Sequence, residues 1–480
     1  MKNSIDGAKN PRESQLIFSN RSLWLLIWPL LVEQLLQITL GMADIAMVSS
    51  LGEAAVGGVS LVDQINVLIT QVFAALATGG AVVCSQYIGA KRKDMADESA
   101  RQLLYTVTIF SLALLLFGLV FYRQILSLVF GKIEADVMQN SRLYFLITLF
   151  AMPGIALYSA AAALFRAQGN SRVSMAIALL VNALNIGGNA IMIYGLKCGV
   201  EGVAVPTLVS RTAAALVLLV KLYRVKPSTS SAKTYSGEIS IRGLMRFHVE
   251  WSLVFKILKI GIPNGIENSA FQIGKILVLS LIATFGTGAI AANATANTLA
   301  ALEVLPGASA GLALLTVVGQ CIGAGKKEQA VYYTKKIMLF TYAGFWLLNI
   351  PFLVFSKQIL AGLYSMSGDT LTLAWYMTLA HGIFGLLIWP LSFTLPNSLR
   401  AAGDAAFTMI VSFVSMWSIR VGISYVFKYT GIFGLVGFMK WPLSFCALGV
   451  WFAMILDWVL RSFFFVLRFA RGSWKNKRVV

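Results

Sequence analysis

Gln86-Tyr87-Ile88-Gly89-Ala90-Lys91-Arg92-Lys93-Asp94 returns 234 residues later as Gln320-Cys321-Ile322-Gly323-Ala324-Gly325-Lys326-Lys327-Glu328. Outward from this stretch the same offset holds. Pro29-x-x-x-Glu33 recurs as Pro263-x-x-x-Glu267, and Arg166-Ala167-Gln168-Gly169-Asn170 as Arg400-Ala401-Ala402-Gly403-Asp404. Only near Gly199-Val200-Glu201-Gly202 and Gly434-Leu435-Val436-Gly437 does the offset slip, to 235. The segments between the blocks therefore kept their lengths after duplication. In an apolar chain, duplicated halves of this size point to a two-lobed transporter.

The chain has 480 residues, of which 58% are hydrophobic and 12% charged, a balance foreign to soluble domains. Apolar runs long enough to cross a bilayer fill it, at about 23–46, 58–86, 102–122, 143–163, 173–194, 203–223, 256–284, 289–320, 336–356, 371–396, 406–428 and 441–467. The expected fold is an all-α membrane protein. Twelve transmembrane helices form two six-helix lobes, residues 1–223 and 256–480, related by pseudo-twofold symmetry and joined by a linker at 224–255. The polar first 22 residues and the long first run predict a true span, not a cleaved signal. Cys84, Cys198, Cys321 and Cys446 are scattered without a CxxC pair, so no disulfide framework or zinc site is expected.

The net charge of +19 suggests nucleic-acid binding until it is mapped. Basic residues crowd the loops after even-numbered spans: Lys91, Arg92 and Lys93; Arg166 and Arg172; Arg224 through Lys259; Lys326 and Lys327. Odd-numbered loops hold few, among them Arg123, Lys132, Lys197, Lys357, Lys428 and Lys440. This is the positive-inside bias, not a nucleic-acid patch, and it predicts a multi-pass plasma-membrane protein with both termini cytoplasmic. The linker, with Pro227-Ser228-Thr229-Ser230-Ser231 and Ser236-Gly237, is expected to carry a short amphipathic helix over 244–255. No GxxxxGK[ST] occurs, so ATP is not expected to drive transport directly.

Ionisable groups inside spans are costly and mark pathways or coupling sites. Asp44 lies toward the outer end of span 1. Asn182, Asn185 and Asn189 share one stripe of span 5 by their spacing, and Thr207 stands in the outer part of span 6. One carboxylate, amide oxygens and a hydroxyl suit a small hard cation such as Na⁺ at Asp44, Asn185 and Asn189, or a proton-carrying Asp; interhelical hydrogen bonding alone is the competing reading. Glu33 and Glu267 each follow a proline by one turn. Pro29 and Pro263 cannot donate to the carbonyls of Leu25 and Lys259, so a bent, water-accessible cavity wall or hinge is expected there, a carboxylate neutralised by protonation or an internal partner being the competing reading. Glu303, with His381, is a candidate companion of Glu267 in the second lobe. Gly307-Ala308-Ser309-Ala310-Gly311 matches GxSxG, with Asp369 and His381 following in hydrolase order. It lies inside an apolar span, where small residues serve helix packing, and no enzyme is expected.

These residues resemble the multidrug and toxic compound extrusion (MATE) family across nearly the whole chain. The resemblance rests on the paired Gln-x-x-Gly-Ala elements at 86–90 and 320–324, the Arg-x-x-Gly-[Asn/Asp] elements at 166–170 and 400–404, and the span 5–6 pattern. It implies an antiporter that expels small amphipathic, often cationic drugs against inward Na⁺ or H⁺ flow, with no other cofactor. It also implies that Asp44 is the first-lobe coupling carboxylate, that Asn185, Asn189 and Thr207 are its neighbours, and that Glu267 is the span 7 acid. Members described as proton-driven often carry Asp where Asn189 stands, and many have a span 10 acid where this chain offers His381. A flippase for a lipid-linked precursor is the alternative; Lys275, Arg211 and Arg420 are its candidate anion holders.

Overall fold

A computed structural model describes residues 16–131, 133–225, 238–363, 368–430, 443–477 and 479–480. Lys132, Lys440, the Gly434–Gly437 repeat block and the 226–237 part of the linker lie outside the described residues.

Among the described residues, twelve helical segments are long and apolar enough to span a membrane. The first lobe contains α1 (Asn20–Val48), α2 (Glu53–Gly89), α3 (Lys93–Phe130), α4 (Ala135–Ala167), α5 (Ser171–Ala190) and α6 (Glu201–Arg224). The second contains α7 (Trp251–Ala283), α8 (Thr287–Glu303), α9 (Leu305–Gly323), α10 (Lys327–Val354), α11 (Ser356–Leu363), α12 (Gly368–Trp389), α13 (Pro396–Ala401), α14 (Ala405–Ser415), α15 (Ser424–Thr430) and α16 (Ala447–Arg471). π-helical turns at Ile191–Gly195, Pro390–Thr394 and Met416–Ile423 interrupt spans 5, 10 and 11.

The duplication seen in sequence is a duplication in backbone. Lys91 and Gly325, one offset apart, both take left-handed φ, 59° and 72°. So do Gly169 and Gly403, at 84° and 100°, each closing the helix that carries its Arg-x-x-Gly motif. The Gln-x-x-Gly-Ala elements meet each other. Gln86 Nε2 donates to Ala401 O and Gln320 Nε2 to Ala167 O, both at 2.8 Å. A Cβ on Gly89 would overlap Gln320 O, and one on Gly323 would overlap Gln86 O. The motif is therefore a reciprocal latch: two glycines let the backbones touch and two glutamines cap the opposing lobe's α4 and α13. Thr316 Oγ1 adds a bond to Arg166 O at 2.9 Å. The lobes are closed on each other at the end that carries the basic loops.

Two expectations are corrected. The eighth apolar run, 289–320, is broken at Val304 into α8 and α9. Pro306 has no N–H to give Leu302, and its counterpart in the unbroken α2 is Val72. The helix expected over 244–255 is absent before Trp251. Its stretch runs along α3 instead: Tyr105 Oη donates to Leu244 O at 2.7 Å, Gln102 Nε2 to His248 O at 2.7 Å, and Arg101 Nη1 to Arg242 O at 2.8 Å. With side chains of α3 taking these carbonyls, the segment needs no helical ladder.

Candidate functional site

In the first lobe, α1, α5 and α6 bring the expected cluster together as a hydrogen-bonded chain. Asn189 Nδ2 donates to Asp44 Oδ1 at 2.7 Å and to Asn185 Oδ1 at 3.2 Å. Asn185 Nδ2 donates to Thr207 Oγ1 at 2.9 Å. The α5 stripe faces α1 and α6, so the i, i+4 asparagines meet partners on both. Asn182 is not in the chain; it bonds Ala178 O on its own helix. Asp44 and Thr207 are half-buried, Asn185 and Asn189 buried. Asn189 Oδ1 is buried without a partner. The π-helical turn at Ile191–Gly195 follows Asn189 directly, a deviation that recurs at functional sites.

Asp63 on α2 had no assigned role. It lies within electrostatic reach of Asp44 and accepts from Tyr144 Oη at 3.0 Å. Asp44 is therefore not the sole acid of this lobe's interior, and nothing in the spacing of Asp63 linked it to span 1.

The glutamates after the prolines belong to a different arrangement from the one expected. Glu33 Oε1 accepts from Arg166 Nη1 at 2.8 Å, and its Oε2 from Ser174 Oγ at 2.6 Å. Glu267 Oε1 accepts from Arg400 Nη2 at 2.6 Å, with Arg461 Nη2 at 3.6 Å. The two pairs are the same pair, repeated. The Arg of each Arg-x-x-Gly motif neutralises the Glu of its own lobe's Pro-x-x-x-Glu motif. Glu33 is 1% exposed and Glu267 6%, so both are buried ion pairs rather than free carboxylates on a cavity wall. Pro29 and Pro263 stand inside continuous helices. Ser171 Oγ donates to Leu26 O at 2.7 Å and lies 3.4 Å from the Leu25 carbonyl that Pro29 leaves free.

Glu303 does not share partners with Glu267. Its Oε2 lies 2.5 Å from His381 Nδ1, both buried, with the imidazole edge-on to Trp458. His381 thus has a carboxylate of its own on the broken span. Ser309 is buried and donates to Leu305 O and Pro306 O at 3.0 and 2.9 Å. With its hydroxyl spent on its own helix and His381 held by Glu303, the GxSxG match forms no nucleophile–base pair.

Removing one member of a buried ion pair leaves the other charge unpaired, at a cost of about 3–5 kcal/mol. Glu33→Gln and Arg166→Gln are each expected to lower the detergent-extracted melting temperature, and the double substitution to recover most of the loss. A Glu33→Gln protein of unchanged stability that has lost efflux would return Glu33 to the transport path.

The MatE family model matches residues 29–191 and 263–426, one match per lobe. The uncharacterized transporter YisQ of Bacillus subtilis (strain 168) is 28% identical over 472 residues, covering 95% of each chain. The probable multidrug resistance protein NorM of Thermotoga maritima is 25% identical over 457 residues, covering 94% of this chain and 92% of the relative. An outward-facing multidrug resistance MATE family transporter of the MOP superfamily superposes with a TM-score of 0.81 at 20% identity, covering 95% of this chain and 96% of its own. That last likeness concerns the fold.

Proposed function

The chain belongs to the MatE family of transporters, and from that premise we propose that it is a secondary active efflux antiporter for small amphipathic, often cationic compounds. The observation that carries the reading is the reciprocal latch of Gln86, Gly89, Gln320 and Gly323. Two lobes that close through a few symmetric contacts at one end are built to part there and close at the other, as alternating access requires. With the basic end in the cytoplasm of a bacterial inner membrane, this is the outward-facing state.

The exchanged cation is taken at Asp44. The donors fit Na⁺: one carboxylate, Asn185 Oδ1, the Thr207 hydroxyl, and the orphaned Asn189 Oδ1, which turns toward the ion when its amide flips. A proton competes for the same carboxylate. Cation binding and substrate binding then favour opposite-facing states. No other cofactor and no ATP is required.

Expression in an efflux-deficient bacterial host tests this. Resistance to at least one class of amphipathic drug is expected, with a cysteine at position 199 labelled from outside intact cells. Susceptibility unchanged across a chemically broad panel would sink the efflux reading, and labelling only after permeabilisation would invert the orientation. A flippase for a lipid-linked precursor is the second reading, favoured by two basic side chains that face one cavity in the second lobe.

A further inference from the structure

A cavity of about 410 Å³ opens between α7, α8, the π-helical turn at Met416–Ile423 and α16, with Gln64 of the first lobe on its rim. That volume suits a small-molecule ligand. Among the described residues its polar lining is Gln64, Gln272, Lys275, Asn293, Asn297, Trp451 and Arg420, with no carboxylate. Arg420 is 7% exposed, and its Nε has no hydrogen-bond partner. Lys275 is exposed and makes no ion pair among the described residues; neither does Arg420. Both cations reach one ring: Lys275 Nζ is 5.3 Å from the Phe271 centroid and Arg420 Cζ 5.2 Å, with Arg461 Cζ also near it at 6.0 Å.

Two like charges gathered on one ring in a low-dielectric wall repel each other unless an anion joins them. The other arginines of this lobe's interior are engaged: Arg400 on Glu267 at 2.6 Å and Arg461 near it at 3.6 Å. Asp457 is wholly buried, accepts from Ser415 Oγ at 2.5 Å and does not line the cavity. Lys275, Arg400, Arg420 and Arg461 thus stand against two carboxylates, Glu267 and Asp457. Asp457 lies within electrostatic reach of both Arg420 and Arg461, so four cations share two carboxylates, and Lys275, whose charged neighbour is Arg420, carries the least compensated charge. Asn293 is fixed by Trp451 Nε1, which donates to its Oδ1 at 3.1 Å, so the wall beside the cations is set in place. The same cavity carries an apolar wall beside the cations, from Ile276, Leu279 and Ile282 of α7 and Val450 and Met454 of α16.

We propose that the second-lobe cavity binds an amphipathic anion, its carboxylate, sulfonate or phosphate on Lys275 and Arg420 and its apolar body along α7. A guanidinium and an ammonium together suit such a head, the first as a planar fork and the second as a point charge. The inference rests on the transport reading only for its consequence, that this anion is cargo; the binding site itself stands without it. Two sources share the chemistry, a soluble organic anion and an anionic lipid.

Fluorescein and rhodamine 6G share a xanthene ring system and differ in charge, so they isolate the head group. Fluorescence anisotropy titrations of the purified full-length protein in neutral detergent are expected to show fluorescein bound. Lys275→Gln and Arg420→Gln should each weaken it about tenfold, the loss of one charge-assisted contact. Rhodamine 6G affinity should not fall in either variant, and Lys275→Glu should shift preference toward it. Lys275 is accessible, so its variants stay interpretable if Arg420→Gln fails to fold. Competition by phosphatidylglycerol but not phosphatidylcholine assigns the site to a lipid; indifference to both assigns it to a soluble anion. Absence of fluorescein binding, or binding unchanged by Lys275→Gln, overturns the proposal. Binding that passes these tests in a protein that leaves susceptibility unchanged across the broad drug panel supports the site and refutes the efflux reading alone.

Discussion

Asp44→Asn is expected to insert, fold and accumulate like the parent and to confer no more resistance than the empty host. Asn is nearly isosteric, and its side-chain oxygen still accepts from Asn189 Nδ2, which now donates to Asp44 Oδ1 at 2.7 Å. The chain to Asn185 and Thr207 is left intact, so the fold loses little. What disappears is the charge that holds the cation. The remaining donors, two amides and a hydroxyl, are neutral and cannot replace it. Loss of all coupling removes the energy source, so the effect on accumulated drug is total rather than partial. Full resistance in a strain whose Asp44→Asn protein is normally abundant would take Asp44 out of the mechanism and move attention to Asp63 or to the Glu303–His381 pair.

The latch predicts an effect of similar size by a different route. Gly323→Val and Gly89→Val place side-chain carbon where Gln86 O and Gln320 O now lie. These are backbone atoms of α2 and α9 and cannot step aside without separating the lobes. Neither position sits in a lobe's own coupling cluster. Each variant should therefore fold, stay open at the basic end and lose turnover, because one of the two alternating states is sterically barred. Ser85, wholly buried against Gly319 at this junction, reports the state. In a background with Cys84, Cys198, Cys321 and Cys446 changed to serine, Ser85→Cys should resist a membrane-permeant maleimide in the parent and react with it in Gly323→Val. Equal protection in both, with transport retained, would show that the contact is not a gate.

The fold was legible because membranes leave few options. Apolar runs of span length, basic loops on alternate connections and one constant offset suffice to identify twelve spans in two lobes. The first-lobe cluster was legible because the asparagines recur at helical spacing and Asp44 sits at a matching depth. What failed to show was pairing. Glu33 and Arg166 are 133 residues apart, as are Glu267 and Arg400, and no local pattern joins them. The repeat held the clue: two motifs duplicated at one offset, one acidic and one basic, are the expected trace of a contact made once per lobe. Lys275 and Arg420 were visible as charges in spans, but only the packing of Phe271 between α7 and span 11 shows that they converge. The break at Val304 had a signal too, in Pro306, hidden by a hydropathy that runs across it. The segment before α7 misled because α3 side chains take its carbonyls, so an amphipathic pattern there does not require a helix.

Transport by purified protein in proteoliposomes under imposed gradients tests the central claim most directly. Fluorescein and rhodamine 6G are followed in parallel, with pH clamped and a Na⁺ gradient as the only driving force. The account predicts that dissipating the Na⁺ gradient moves at least one dye uphill, and that Asp44→Asn abolishes the movement. Dye movement that ignores the Na⁺ gradient, or that survives Asp44→Asn unchanged, would contradict it.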